Sequence, residues 1–288
     1  MHFGHGARSI AGMNKCFQHI WLLLVAASSV DIIAAAETIE VDAELVLAVD
    51  VSRSMSAAEL EIQRRGYAEA LAGNEVSDAI ARGLLGRVAI QYVEWAGQYN
   101  QRVVVDWTLI EGHTQAVAFA DQLLAHKSPS MSRTSISGGI NFSVHSLENN
   151  DYLGMRRIID ISGDGPNNQG PYVRRARDEA LAAGIVINGL PLMTRDGIYS
   201  QFDIERLDLY YRDCVIGGPG AFIIPVLSWE EFPEAVRRKI VLELAGQPLE
   251  PIRAVPASGG FLDVPASEQD CRIGEKLWEQ NRWMWTDP

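Results

Sequence analysis

Asp50, Ser52 and Ser54 occupy alternate positions in the run Asp-Val-Ser-Arg-Ser. Two hydroxyls and a carboxylate on one short turn are the oxygen donors that a hard cation such as Mg²⁺ or Mn²⁺ prefers. Two further oxygen-bearing residues stand at the ends of later segments: Thr134, in Ser132-Arg133-Thr134-Ser135, and Asp164, in Ser162-Gly163-Asp164-Gly165. Arg53 and Arg133 lie within or beside these pieces and read as a basic rim facing a partner, or as two solvated arginines. Asn167 and Asn168 follow Asp164 in a Gly/Asn/Pro loop and read as lining the same edge, or as turn residues. Ser, Thr and Asp are also common helix N-caps, so a capping cluster is the bland reading of the whole set.

Such residues act together only if the fold gathers them. Residues 44–51 (ELVLAVDV) form a near-continuous apolar run, as expected of a strand covered on both faces. Residues 57–72 have helical spacing. Residues 87–95 (RVAIQYVEW) and 102–107 (RVVVDW), with Gly97 and Asn100 between them, read as a hairpin. Helices are predicted over 114–125, with Thr114 as its cap, and over 135–147. A strand over 157–162 precedes a helix over 171–183, which opens on Pro171 and ends at Gly184. Strands follow at 184–190 and 221–227, then a helix over 229–244. The predicted fold class is α/β: a doubly wound, mostly parallel sheet with helices on both faces and one antiparallel edge hairpin. Right-handed crossovers put the C-terminal ends of the strands along one edge, where such sheets bind ligands. Asp50, Thr134 and Asp164 all fall in loops at that edge.

With these pieces in place, the chain resembles the von Willebrand factor A-like domain over about residues 42–246. The adhesion-type metal site of that family is D-x-S-x-S, a distant Thr, then an Asp. The stretches 160–168 (DISGDGPNN) and 211–222 (YRDCVIGGPGAF) look like those of a group of exported bacterial A-domain proteins. The resemblance implies that Ser52 and Ser54 bind the metal directly. It implies that Thr134 does so in the ligand-engaged form, and that Asp50 and Asp164 act largely through bound water. The family usually carries Thr or Ser immediately before the last Asp, where this chain has Gly163. Asp160, inside the strand, is the alternative carboxylate.

Residues 1–36 read as a secretory signal: Arg8 and Lys15, a short apolar stretch from Ile20 to Val30, then Ala34-Ala35-Ala36. The expected organisation is a signal over 1–36, an A-like domain over 37–247, and an irregular tail over 248–288. The tail is rich in Pro and has a short helix near 273–281. The expected location is periplasmic or secreted in a bacterium, with no stable membrane anchor once the signal is removed. An oxidising compartment would let Cys214 and Cys271 pair, adding roughly 4 kcal/mol in the chain-entropy model, with two buried thiols as the alternative. Trp278, Trp283 and Trp285 in the tail read as packing residues ahead of a docking patch.

The chain has 25 Lys+Arg against 37 Asp+Glu, a formal charge of −12, and no basic run, which excludes a nucleic-acid binder. At 47% hydrophobic residues it is globular in composition, and three cysteines exclude a Cys-rich zinc site. The expected function is a binding module, not an enzyme, that captures a carboxylate of a partner protein through the cation. A metal-assisted hydrolase with Asp50 as nucleophile is the first alternative. It lacks the D-x-D signature, a G-x-S-x-G elbow and a Ser-His-Asp set. A structural protein with a purely stabilising metal is the second.

Overall fold

The structure is a computed structural model that describes residues 38–194, 204–245 and 269–281. Its centre is β2 (Glu44–Asp50), in which every residue is buried. β2 is flanked in parallel by β3 (Val88–Trp95) and β6 (Arg157–Gly163). β4 (Gln101–Ile110) joins β3 as an antiparallel edge strand, and β7 (Ile185–Pro191) pairs in parallel with β6. The sheet order is therefore β4-β3-β2-β6-β7. A separate parallel pair, β1 (Ile39–Val41) with β5 (Tyr152–Gly154), lies outside this sheet.

Alternate residues of β2 serve two cores, as the period of a strand requires. Leu45, Leu47 and Val49 pack with Tyr67 and Leu71 of α1 (Ala57–Leu71), Phe119 of α3 (His113–Ala125) and Phe232 and Ile240 of α7 (Phe232–Leu244). Val46 and Ala48 pack on the other face with Ile136 and Ile140 of α4 (Ile136–Glu148) and Val173 and Ala176 of α5 (Val173–Ala182). The doubly wound sheet expected from the sequence is thus the observed one, with helices on both faces.

Three details differ. Residues 221–227 do not form a regular strand. They meet β7 only through the isolated bridges Gly189–Ile223 and Leu192–Val226: the Ile224 and Val226 N–H groups donate to β7, but Pro191 of β7 has no N–H to return to the Ile224 carbonyl. Thr114 does not cap α3, which starts one residue earlier at His113 after Gly112. α5 starts at Val173, two residues after Pro171, a shift of the size normal at helix ends. Three elements carry too little pattern to be predicted: α2 (Asn74–Ala81) and the three-residue strands β1 and β5.

Asp160 points away from the loop edge and into the core beneath α7. Lys239 Nζ lies 2.6 Å from Asp160 Oδ1 and 2.5 Å from Glu243 Oε1, and Asn188 Nδ2 donates to Glu243 Oε1 at 2.9 Å. All three charged side chains are buried, with one cation serving two carboxylates. Burial, and then the Asp160 charge, push the Glu243 carboxyl up to about 7, with Lys239 pulling against them. A carboxyl raised in the folded state stabilises the fold below its ordinary pKa, and that contribution is lost as pH rises through the folded value. We therefore expect wild-type unfolding free energy to fall between pH 5 and 8 by on the order of 2 kcal/mol more than that of Glu243→Gln. Urea melts across that range check this, and parallel pH profiles for the two proteins would contradict it.

Candidate functional site

β2 ends at Asp50, and residues 51–55 turn the chain into α1. Ser56 caps that helix in a reciprocal capping box with Glu59. Asp50 Oδ1 accepts the Ser52 backbone N–H at 2.7 Å, which fixes the turn. Gln63, buried on α1, donates its Nε2 to the Asp50 carbonyl at 2.9 Å. The Ser52 and Ser54 hydroxyls are 3.0 Å apart, and Ser54 Oγ donates to Asp164 Oδ1 at 2.9 Å. Asp50, Ser52, Ser54 and Asp164 therefore form one hydrogen-bonded chain. Its rear is buried at Asp50 and Ser52, and its front is exposed at Ser54.

The other loops are tied to this turn. Ser52 and Met131 form a parallel bridge, and the Met131 N–H donates to the Val51 carbonyl at 2.9 Å. Thr134, buried, follows in the same segment. Its N–H donates to Asn168 Oδ1 at 3.0 Å and its carbonyl accepts the Asn168 N–H at 2.8 Å. Asn168 thus clamps the threonine loop to the loop after β6. Asn167 is wholly buried, and its Oδ1 accepts both the N–H and the hydroxyl of Ser137, at 3.0 and 3.1 Å. These two asparagines brace the edge from within instead of lining its rim. Arg53 is exposed beside the chain of oxygens. Arg133 adopts a left-handed φ of 78° and stacks its guanidinium 3.3 Å from the centre of the Trp278 ring. Trp95 is buried packing, with Gly139 against its ring.

The C-terminal helix α8 (Ile273–Asn281) reaches this edge. Cys271, just before it, is disulfide-bonded to Cys214, with α-carbons 5.4 Å apart. Asn167 Nδ2 donates to Glu275 Oε1 at 2.9 Å. A Cβ at Gly274 would lie 2.0 Å from the Asn167 carbonyl oxygen, so only glycine allows the helix this close. Trp278 thus packs back onto the domain, whereas Trp283 and Trp285 lie outside the described residues.

Burial, and then the neighbouring Asp164 charge, hold the Asp50 carboxyl well above the usual carboxylate range, while N–H groups of Ser52 and Asp164 pull it down. Asp50 Oδ2 has no hydrogen-bond partner among the described residues. A cation near this carboxylate would offset both costs. Among the described residues no group of three or more His, Cys, Asp or Glu side chains is assembled for a metal, so an ion here must use hydroxyls. The donor set fits that role. Two neutral hydroxyls 3.0 Å apart, with the Asp164 carboxylate 2.9 Å from Ser54 Oγ, are the oxygen donors that a hard cation prefers.

The sequence motif does not include Gln63 or Tyr211. Gly163 leaves a space whose walls are Tyr211 and Asp50: a Cβ there would sit 2.8 Å from Tyr211 Oη and 3.0 Å from Asp50 Oδ2. Burial, then the Asp50 and Asp164 charges, push the Tyr211 phenol well above its ordinary pKa. The missing side chain at 163 is the one signal in the sequence that something else must fill this place.

The fold is that of a von Willebrand factor A-like domain. The same fold occurs in the pilus adhesin SpaC from Lactobacillus rhamnosus GG, at 12% identity and a TM-score of 0.52 over 71% of this chain and 31% of that one. It also occurs in a von Willebrand factor type A structure from Catenulispora acidiphila, at 11% identity and a TM-score of 0.50 over 72% and 43% of the two chains. The chain belongs to the family described as "Protein of unknown function (DUF1194)", whose model matches residues 40–248. No curated protein matches it.

If Asn167 braces the edge, Asn167→Ala leaves the Ser137 N–H without its acceptor and removes one tie to α8. We expect a loss of about 1–3 kcal/mol in urea unfolding. A change below about 0.5 kcal/mol, the range of an ordinary surface substitution, would contradict the bracing role.

Proposed function

We propose that this protein is an exported, cation-dependent binding module that captures a carboxylate of a partner protein. The observation that carries this reading is the run of hydrogen bonds that joins buried Asp50, through the Ser52 N–H, to the linked oxygens of Ser52, Ser54 and Asp164. Ser52 and Ser54, with Thr134, would hold Mg²⁺ or Mn²⁺ directly, and Asp50 and Asp164 would act largely through bound water. The bound ion would supply a Lewis-acidic position for an anionic oxygen. Neutral hydroxyls leave much of a dication's charge uncompensated, so the exposed front at Ser54 favours an acidic group, and exposed Arg53 adds to that field. Asp50 has no exposed surface, which argues against a nucleophile that must reach a substrate. A pilus adhesin among the structures that share the fold agrees with a binding role.

The Cys214–Cys271 bond supports an oxidising, extracytoplasmic location, in keeping with the signal-like start. Among the described residues no helix is long and apolar enough to cross a membrane.

Calorimetric titration of the EDTA-stripped chain with Mg²⁺ should show one site per chain. At a hundredfold excess over Kd the ion should stabilise the fold by roughly 2.7 kcal/mol. Asp164→Ala and Ser52→Ala should lose the site while keeping the metal-free melting temperature within a few degrees. Unchanged uptake in both variants would sink the assignment of the site. A partner retained in EDTA would sink the cation-dependent mode of binding.

A further inference from the structure

We propose that Tyr211 supplies, from a different element, the hydroxyl that β6 lacks at Gly163, and that Tyr211 Oη positions the Asp50 carboxylate at the rear of the cation site. This rests on the cation reading above.

Two glycines in neighbouring strands open the space that the tyrosine ring occupies. At Gly163 in β6 a Cβ would lie 2.8 Å from Tyr211 Oη, and at Gly189 in β7 it would lie 2.7 Å from Tyr211 Cδ1. Glycine inside a strand is unfavourable and marks a close approach. Here two such positions in a buried sheet admit one side chain. The ring is wholly buried, yet among the described residues its hydroxyl has no hydrogen-bond partner, and neither has Asp50 Oδ2. Each unpaired group is costly when buried. The two atoms lie 2.8 and 3.0 Å from the position a Cβ of Gly163 would take, so a phenol donor and a carboxylate acceptor, neither hydrogen-bonded, border the same gap. The preceding residue provides the contrast. The Tyr210 hydroxyl accepts the Asn167 N–H at 3.1 Å and is satisfied by the scaffold alone.

The backbone that aims Tyr211 is specialised. The short helix α6 (Leu207–Tyr210) widens into a π-helical turn over Tyr211–Val215, a form that recurs at functional sites. Cys214 in that turn is bonded to Cys271. The cross-link fixes the turn that carries the tyrosine.

The test compares wild type, Tyr211→Phe, Gly163→Ser and the double variant by Mg²⁺ calorimetry and by melting with and without the ion. Tyr211→Phe should fold, keep its metal-free melting temperature within a few degrees, and bind Mg²⁺ at least about tenfold more weakly, as loss of a residue orienting a metal ligand does. Gly163→Ser should also bind weakly, because its side chain meets Tyr211 Oη. The double variant should recover most of the affinity, since the serine hydroxyl then occupies the place the phenol left. A residue that only packs would change the metal-free melt and give no such recovery. Wild-type affinity in Tyr211→Phe, or no recovery in the double variant, overturns the role of Tyr211 while leaving the cation site standing. A wild type that takes up no Mg²⁺ overturns both.

Discussion

A carboxylate with no exposed surface sits at the end of the central strand, and the rest of the edge answers to it. Asp50 is buried by the strands on either side of β2 and by α1. Its charge is disfavoured there by desolvation and by Asp164. The protein offsets this with N–H groups on one oxygen and leaves the other facing a phenol. It also strings two hydroxyls outward toward solvent. Under the proposed reading, a cation held by the two hydroxyls would offset the Asp50 charge and keep one side open to solvent.

The parallel sheet makes this arrangement simple to build. Crossover connections bring the ends of β2 and β6 and the start of α4 to one edge without any special loop. Oxygens separated by 110 residues in the chain then come within hydrogen-bond distance. The bracing is less generic. Asn167 and Asn168 lock the threonine loop to the loop after β6, and α8 is fastened over them by Glu275, by the close pass at Gly274 and by the Cys214–Cys271 cross-link. Arg133, stacked on Trp278, joins the same brace, which leaves Arg53 as the exposed arginine of the pair read as a rim.

Much of this is legible in the amino-acid sequence. The buried strands read clearly because a strand covered on both faces must be apolar at consecutive positions, as in ELVLAVDV. The helix at 273–281 and the turn bearing Asp50, Ser52 and Ser54 fall where the sequence puts them. What the sequence conceals depends on contacts between distant residues. Whether Asn167 turns inward or outward is decided by Ser137 and Glu275, neither of which its local sequence reveals. Residues 221–227 have strand-like composition, but Pro191 of the neighbouring β7 lacks a donor for them and only isolated bridges form. Gly163 reads as a defect in the motif. In three dimensions it leaves a gap bordered by both Tyr211 Oη and Asp50 Oδ2.

The most direct test of a hydroxyl-based cation site is a crystal structure of the protein grown with Mn²⁺ and measured at the manganese absorption edge. Such a site predicts one strong anomalous peak at the sheet edge, bounded by the Ser52 and Ser54 hydroxyls and facing Asp164. No peak there at saturating Mn²⁺, or a peak elsewhere with Ser52, Ser54 and Asp164 still bonded to one another, would contradict it.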